Sequence, residues 1–202
     1  MKIQWNTLNM GAKISLNLLA NMAIAFAMGL MHYSDVGADP ITVLIGGIAN
    51  AFSISAGAAA TCLSILFFSF SFLFNRTQIK GATILSVFTL GPFMNLSLYL
   101  IRSVIPDNLP FWMRVIESSI GACIMGLAIG FYLSLDFGAS PTDSVMLWFH
   151  KVLHLNYQYC TWIFYAISLF VGVLLGGVFG VGTILSLLLV GTCINWMHKK
   201  LQ

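Results

Sequence analysis

Two short segments carry the residues best suited to chemistry. Val36-Gly37-Ala38-Asp39-Pro40 and, about a hundred positions later, Phe137-Gly138-Ala139-Ser140-Pro141 each set a polar side chain directly before a proline. That pairing predicts a helix start. Asp39 or Ser140 is the N-cap, and Pro40 or Pro141 takes the first helical position, where a missing N–H costs nothing. Ser140-Pro141-Thr142-Asp143 also fits a capping box with a short acid. Gly37 and Gly138 supply the positive backbone angle that a sharp turn into such a helix requires. A helix beginning inside protein at membrane depth aims orphan N–H groups and partial positive charge at whatever lies ahead, which suits an anion or a carboxylate. Asp39, Thr42, Ser140, Thr142 and Asp143 are therefore the expected contacts of a small solute. Capping alone accounts for Asp39 and Ser140 equally well.

Other polar residues interrupt apolar stretches. Asn17 and Asn21 lie one helical turn apart, so they share a face that meets protein or water, either for interhelical hydrogen bonding or for solute contact. Glu117 follows Arg114 by three residues; a lone carboxylate at that depth would cost about 3 kcal/mol. The pair reads as snorkelling at the interface, with a proton-coupling role for Glu117 as the alternative. His150 and His154 have a metal-compatible spacing, but no third ligand is near, so no metal is expected. Cys62, Cys123, Cys160 and Cys193 form neither a redox nor a zinc pattern and read as small buried apolar residues. Ser140 as a nucleophile would need a base, and the last apolar stretch has no histidine until His198 at its end. Pro141 also removes an N–H that an oxyanion hole would use. The expectation is no catalysis, no catalytic residues and no cofactor.

The elements that must position these residues are membrane helices. The chain is 59% apolar and 7% charged, whereas soluble domains carry about a quarter charged residues. Nearly charge-free stretches at 14–33, 55–75, 82–101, 114–135, 157–177 and 182–197 have the length of spans. The first is too long for a cleaved signal peptide. A cytoplasmic N-terminus puts Lys2, Lys13, Arg76, Lys80, Lys151, Lys199 and Lys200 inside and leaves Arg102 and Arg114 outside, so both termini are expected to be cytoplasmic. The scattered basic residues give no nucleic-acid surface.

The echo extends beyond the proline motifs: Thr83-Ile84-Leu85-Ser86 with Gly91 returns as Thr183-Ile184-Leu185-Ser186 with Gly191. The expected fold is thus all-α and polytopic. Residues 1–202 form a single membrane domain of six transmembrane helices, in two three-helix repeats at about 14–101 and 114–197. Three crossings per repeat make the copies inverted. The apolar runs 41–52 and 142–154 are too short to span, so each reads as a re-entrant or interfacial helix. Gly126 with Gly130, and Gly172 with Gly176 and Gly180, have small-xxx-small spacing for close helix packing within the chain, with homodimerisation as the other use.

Gly37-Ala38-Asp39-Pro40, its echo Gly138-Ala139-Ser140-Pro141 with Asp143, and the run Gly176-Gly177-Val178-Phe179-Gly180-Val181-Gly182-Thr183 together resemble the bacterial YczE/YyaS/YitT group of integral membrane proteins, in its short YczE-type form. The resemblance covers about residues 14–197 and implies a multi-span protein of the bacterial cytoplasmic (inner) membrane, without implying an activity. The expected function is a secondary transporter or permease-like protein for a small metabolite, with an anion suggested by the helix starts. No phosphate loop is present to couple ATP. The alternatives are a substrate-binding membrane subunit of a vitamin-type transporter, for which Ala23 and Ala27 offer a docking face, and a non-transporting scaffold or regulatory protein. The expected partners are the lipid bilayer and an unidentified solute.

Overall fold

The computed structural model describes residues 9–74, 76, 79–106, 108–135, 137–138 and 140–201. Lys2 and Ala139 lie outside the described residues. The described chain is helical throughout: α1 (Met10–Tyr33), α2 (Pro40–Phe52), α3 (Ala56–Phe74), α4 (Gly81–Val104), α5 (Phe111–Ser134), α6 (Pro141–Leu153), α7 (Tyr157–Leu174) and α8 (Val181–Leu201). Six of these, α1, α3, α4, α5, α7 and α8, are long and apolar enough to cross a membrane. The other two have 13 residues each, or roughly 20 Å of helix, against about 30 Å of hydrocarbon.

The echo in the sequence has a counterpart in the packing. α1 lies against both α4 and α5, and α5 carries α8. α2 is held on α7, and α6 on α3. Replacing each helix by the one four places along maps α1 on α4 onto α5 on α8, maps α2 on α7 onto α6 on α3, and leaves α1 on α5 unchanged. The most extensive pairing that breaks the pattern is that of α3 with α4. α3 runs along α4, with Gly57 and Gly91 meeting backbone to backbone, whereas no such extensive contact joins α7 to α8 among the described residues.

The two short helices are bedded differently. Residues 40–47 of α2 are all buried, and Gly47 faces Gly172 of α7 so closely that a Cβ on either would overlap the other helix's backbone. In α6 only Pro141, Ser144, Val145 and Met146 are buried, and aromatic side chains do the packing. The Trp148 ring meets Phe70 of α3 edge-on at 4.8 Å, and Phe149 lies 6.3 Å from Phe164 of α7.

The glycine spacings read from the sequence are used inside the chain. A Cβ at Gly126 or Gly130 would press on Val190 and Cys193, or on Ile194 and Met197, of α8. Ala27, half of the suggested docking face, is buried with its carbonyl against Gly121 of α5. Of the four cysteines only Cys160 is buried. Cys62 is exposed on the outer face of α3, because a cysteine facing lipid satisfies the same apolar preference as one facing the core.

Candidate functional site

Both proline-led helix starts form as their sequences dictate. Asp39 sits in extended backbone, and one carboxylate oxygen accepts from the N–H of Ile41 at 3.1 Å and of Thr42 at 3.4 Å; the Thr42 hydroxyl bonds the other oxygen. At α6, Ser140 Oγ accepts from the Asp143 N–H at 3.2 Å and donates to the Asp143 carboxylate at 2.8 Å. Tyr132 of α5 donates to that same carboxylate oxygen at 3.3 Å. Thr142 is half-buried on the first turn of α6. Both acids lie outside the six long helices. Burial pushes each carboxyl above its ordinary range, against the pull of hydrogen bonds from Thr42 and Ile41 on Asp39 and from Ser140 and Tyr132 on Asp143. Each tip therefore carries its own carboxylate. The N–H groups of Ile41 and Thr42 at α2 and of Asp143 at α6 already bond a capping side chain, which takes them from any anion ahead.

The glycines before the caps have the expected positive φ, +100° at Gly37 and +130° at Gly138. Their deeper role is docking. The Gly37 loop lies on the start of α8: Gly182 N–H donates to the Val36 carbonyl at 2.9 Å, and a Cβ at Gly37 would sit 2.6 Å from Gly180 N and Thr183 Oγ1. The Gly138 loop lies on the start of α4, where its Cβ would be 2.7 Å from Lys80 Cβ and where Phe137 covers Gly81. The two echoed elements are thus one contact made twice, each proline motif resting on the Thr-Ile-Leu-Ser helix of the other half. The glycine run serves the first of these seams. Side chains at Gly177, Gly180 and Gly182 would overlap the carbonyl oxygens of Val43, Val36 and Gly37 in turn. Ser118 of α5 completes the junction by donating to the Gly37 carbonyl at 3.0 Å.

These contacts place the two motifs at opposite ends of α4, the first beside its Arg102 end and the second beside its Lys80 end. At the Arg102 end the ends of α1 and α4, the start of α5 and the first turns of α2 enclose a cavity of about 340 Å³. Gly37, Ala38 and Thr42 line it, together with His32, Asp35, Arg102, Arg114 and Glu117. An adjoining hollow of about 690 Å³ shares His32, Asn50 and Arg102 and adds Ser55, Asn95 and Tyr99. Tyr33 fixes the wall, its hydroxyl donating to the Ile105 carbonyl at 2.9 Å.

Of the residues singled out from the sequence, Thr42, Gly37 and Glu117 come together on this cavity. Asp39 is buried directly behind it. Ser140, Thr142, Asp143 and Gly138 sit at the other end and are not among its lining residues. Asn17 and Asn21 are also elsewhere, buried between α1 and α4. Asn21 Nδ2 reaches Ser86 Oγ at 3.1 Å and Thr89 Oγ1 at 3.4 Å on α4, which is interhelical hydrogen bonding, and Asn17 Oδ1 at 3.3 Å one turn back on α1 itself. Glu117 and Arg114 both line the cavity, and their charges attract. The Glu117 carboxylate is buried and accepts no hydrogen bond among the described residues, while Arg114 Nε donates to the Leu109 carbonyl at 3.2 Å. His32, Asp35 and Arg102 were not anticipated as site residues. The available signal was positional, since all three fall at the ends of spans on the side assigned to Arg102 and Arg114. Ser140 has Asp143 and Tyr132 for company, and His198 is 3.4 Å from Ser134 instead. His150 Nδ1 lies 2.6 Å from the Leu155 carbonyl, and His154 caps α6 in the left-handed region.

The sequence is similar to known proteins over most of its length. A family model described as "Family of unknown function (DUF6198)" matches residues 11–199. The chain is 25% identical over 174 residues to "Uncharacterized membrane protein YczE" of Bacillus subtilis (strain 168), covering 86% of this chain and 79% of that one. It is 21% identical over 174 residues to "Uncharacterized protein YyaS" of the same organism, covering 86% of each. An "Uncharacterized protein" of Haemophilus influenzae is 25% identical over 186 residues, 91% of this chain and 82% of that one. No solved structure matches.

Proposed function

This chain belongs to the DUF6198 family and is YczE-like, and we propose that it is a secondary transporter or permease-like protein that takes a small anionic metabolite from the cavity beside Arg102. The observation that carries this reading is the cavity itself: a polar hollow between span ends, bordered by two guanidinium groups and one imidazole. Arg102 and Arg114 are the two cations that the positive-inside bias assigns to the outer face, and both line it. In this orientation the termini are cytoplasmic, the membrane is the bacterial inner membrane, and the cavity opens outward.

Two halves inverted in the membrane plane are supported by the exchange symmetry of the packing and by the placement of the two proline motifs at opposite ends of α4. α2 and α6 then enter from opposite faces as re-entrant helices. The halves differ as alternating access requires: the tip of α2 borders an open cavity, while the tip of α6 is closed over by Tyr132. Nothing is transformed; the cargo is moved.

The test uses protein reconstituted in nanodiscs and a panel of sulfate, phosphate, mono- and dicarboxylates and cationic controls, read by ligand-induced thermal stabilisation. At least one anion stabilises the wild type. Arg102→Gln weakens it about tenfold or more, the loss of one charge-assisted hydrogen bond. A panel in which no anion stabilises the protein, or in which Arg102→Gln binds as tightly as wild type, refutes the reading.

A further inference from the structure

Glu117 stands out within the cavity. Its residue is only 8% exposed, and both carboxylate oxygens lack a hydrogen-bond partner among the described residues. One side of it faces the cavity; the other borders an apolar crevice formed by Leu30, Val104, Met113, Ile116 and Ile120. A carboxylate in that position has the charge of Arg114 nearby but no hydrogen bond to hold it, and an anion entering the same hollow would meet it as a like charge. A metal ion or ammonium group is a poor remedy, because two guanidinium groups share the hollow. His32 on α1 and Arg102 on α4 line the hollow, Arg114 precedes Glu117 on α5, and Asp35 from the α1–α2 loop is the one other acid lining it. Tyr33 is engaged with Ile105. Asp107, in the neighbouring loop, lies outside the described residues. A proton removes the repulsion without adding a cation and leaves a carboxyl O–H to donate to the anion.

We propose that Glu117 is the proton site of this cavity, so that an anion is held only together with a proton taken from cavity water and returned to it on release. The inference rests on the anion-binding reading above and deepens it. Position supplies a route from charge state to shape. The next residue, Ser118, holds the Gly37 carbonyl, and Gly182 of α8 packs on both. Charge at Glu117 is therefore felt one residue from the seam that docks α2 on α8.

Sulfate and acetate serve as probes, because their charge is constant from about pH 6.5 to 9, well above their own titration and the ordinary carboxylate range. In wild type the affinity falls by up to tenfold per pH unit above the Glu117 midpoint. In Glu117→Gln, a permanent mimic of the protonated acid, it stays near the low-pH value throughout. A second measurement needs only the wild type. Dicyclohexylcarbodiimide, which attacks protonated carboxyls in apolar surroundings, labels Glu117 in peptide maps, less as pH rises and more slowly under saturating anion. Affinity that is independent of pH in wild type, an unchanged pH slope in Glu117→Gln, or a Glu117 that stays unlabelled at low pH overturns the proposal. If neither anion binds, the anion cavity falls, and carbodiimide labelling still decides whether Glu117 takes a proton.

Discussion

Gly37→Ala probes the seam on which the cavity depends. The new methyl group meets three separate costs. Backbone at φ +100° is foreign to an L residue, which is worth about 1–2 kcal/mol. The Cβ would stand 2.6 Å from Gly180 N and Thr183 Oγ1 and 3.0 Å from Thr183 N, and since two of these are backbone atoms the strain is not relieved by a rotamer change; overpacking of this kind costs roughly 1–3 kcal/mol. Any shift that relieves it lengthens the 2.9 Å bond from Gly182 N–H to the Val36 carbonyl, worth about 1 kcal/mol. Together these amount to roughly 3–6 kcal/mol, or a melting temperature lower by about 6–24 °C in a chain of this size. The control is Gly191→Ala in α8, where a Cβ meets nothing within 4 Å and helix propensity favours alanine by up to about 1 kcal/mol. The assay is thermal denaturation of detergent-solubilised protein followed by size-exclusion chromatography, with both variants run beside wild type. Equal melting temperatures for the two variants would mean that the Gly37 loop does not rest on α8, and the account of the seam would be wrong.

Two further outcomes follow from the same geometry. Asp39→Asn keeps a competent N-cap and changes stability by only a few tenths of a kcal/mol, while Asp39→Ala leaves the Ile41 and Thr42 N–H groups open and costs about 1–2 kcal/mol in the same melting assay; parity between the two variants would show that the side chain does not cap α2. Single cysteines at the exposed positions Ile54, after α2, and Leu155, after α6, in a cysteine-free background react with an impermeant maleimide from opposite sides of the membrane; labelling from the same side would remove the inversion.

Helix positions were readable because each is fixed locally. A proline with a capping residue before it determines where α2 and α6 begin, and runs of apolar residues near the thickness of a bilayer determine the long helices, to within about four residues at each end. The echo was readable as duplication, but its physical meaning was not. Nothing in Thr83-Ile84-Leu85-Ser86 says that its helix start receives the second proline motif, because that contact joins residues more than fifty positions apart. The cavity was hidden for the same reason. His32, Arg102 and Glu117 each look like an ordinary polar residue near the end of a span, and only the convergence of α1, α4 and α5 brings them to one hollow. The helix tips are the converse case. Asp39 was visible as a cap and as an anion contact, and the capping geometry itself consumes the N–H groups that the second role would need.

The asymmetry between the halves has a consequence for movement. α3 is locked along α4 through Gly57 and Gly91, a crossing in which backbone touches backbone, while their counterparts α7 and α8 lack that contact, and Gly191 faces open space. α2 is likewise clamped on α7 by Gly47 and Gly172, whereas α6 meets α3 through aromatic rings. If inversion relates the halves, the second state is reached by exchanging these roles: α7 closes on α8, α3 parts from α4, and the hollow moves from Arg102 to the Tyr132–Asp143 end. The sequence permits the exchange only in part, since a Cβ-free position is present at Gly191 but the proline that follows Gly91 is absent there. On the transporter reading proposed above, the two states would be unequal in energy, with the Arg102-side hollow as the resting form. A bound anion and proton would have to supply the differential affinity that tips the balance, because a ligand shifts an equilibrium only by as much as it prefers one state over the other.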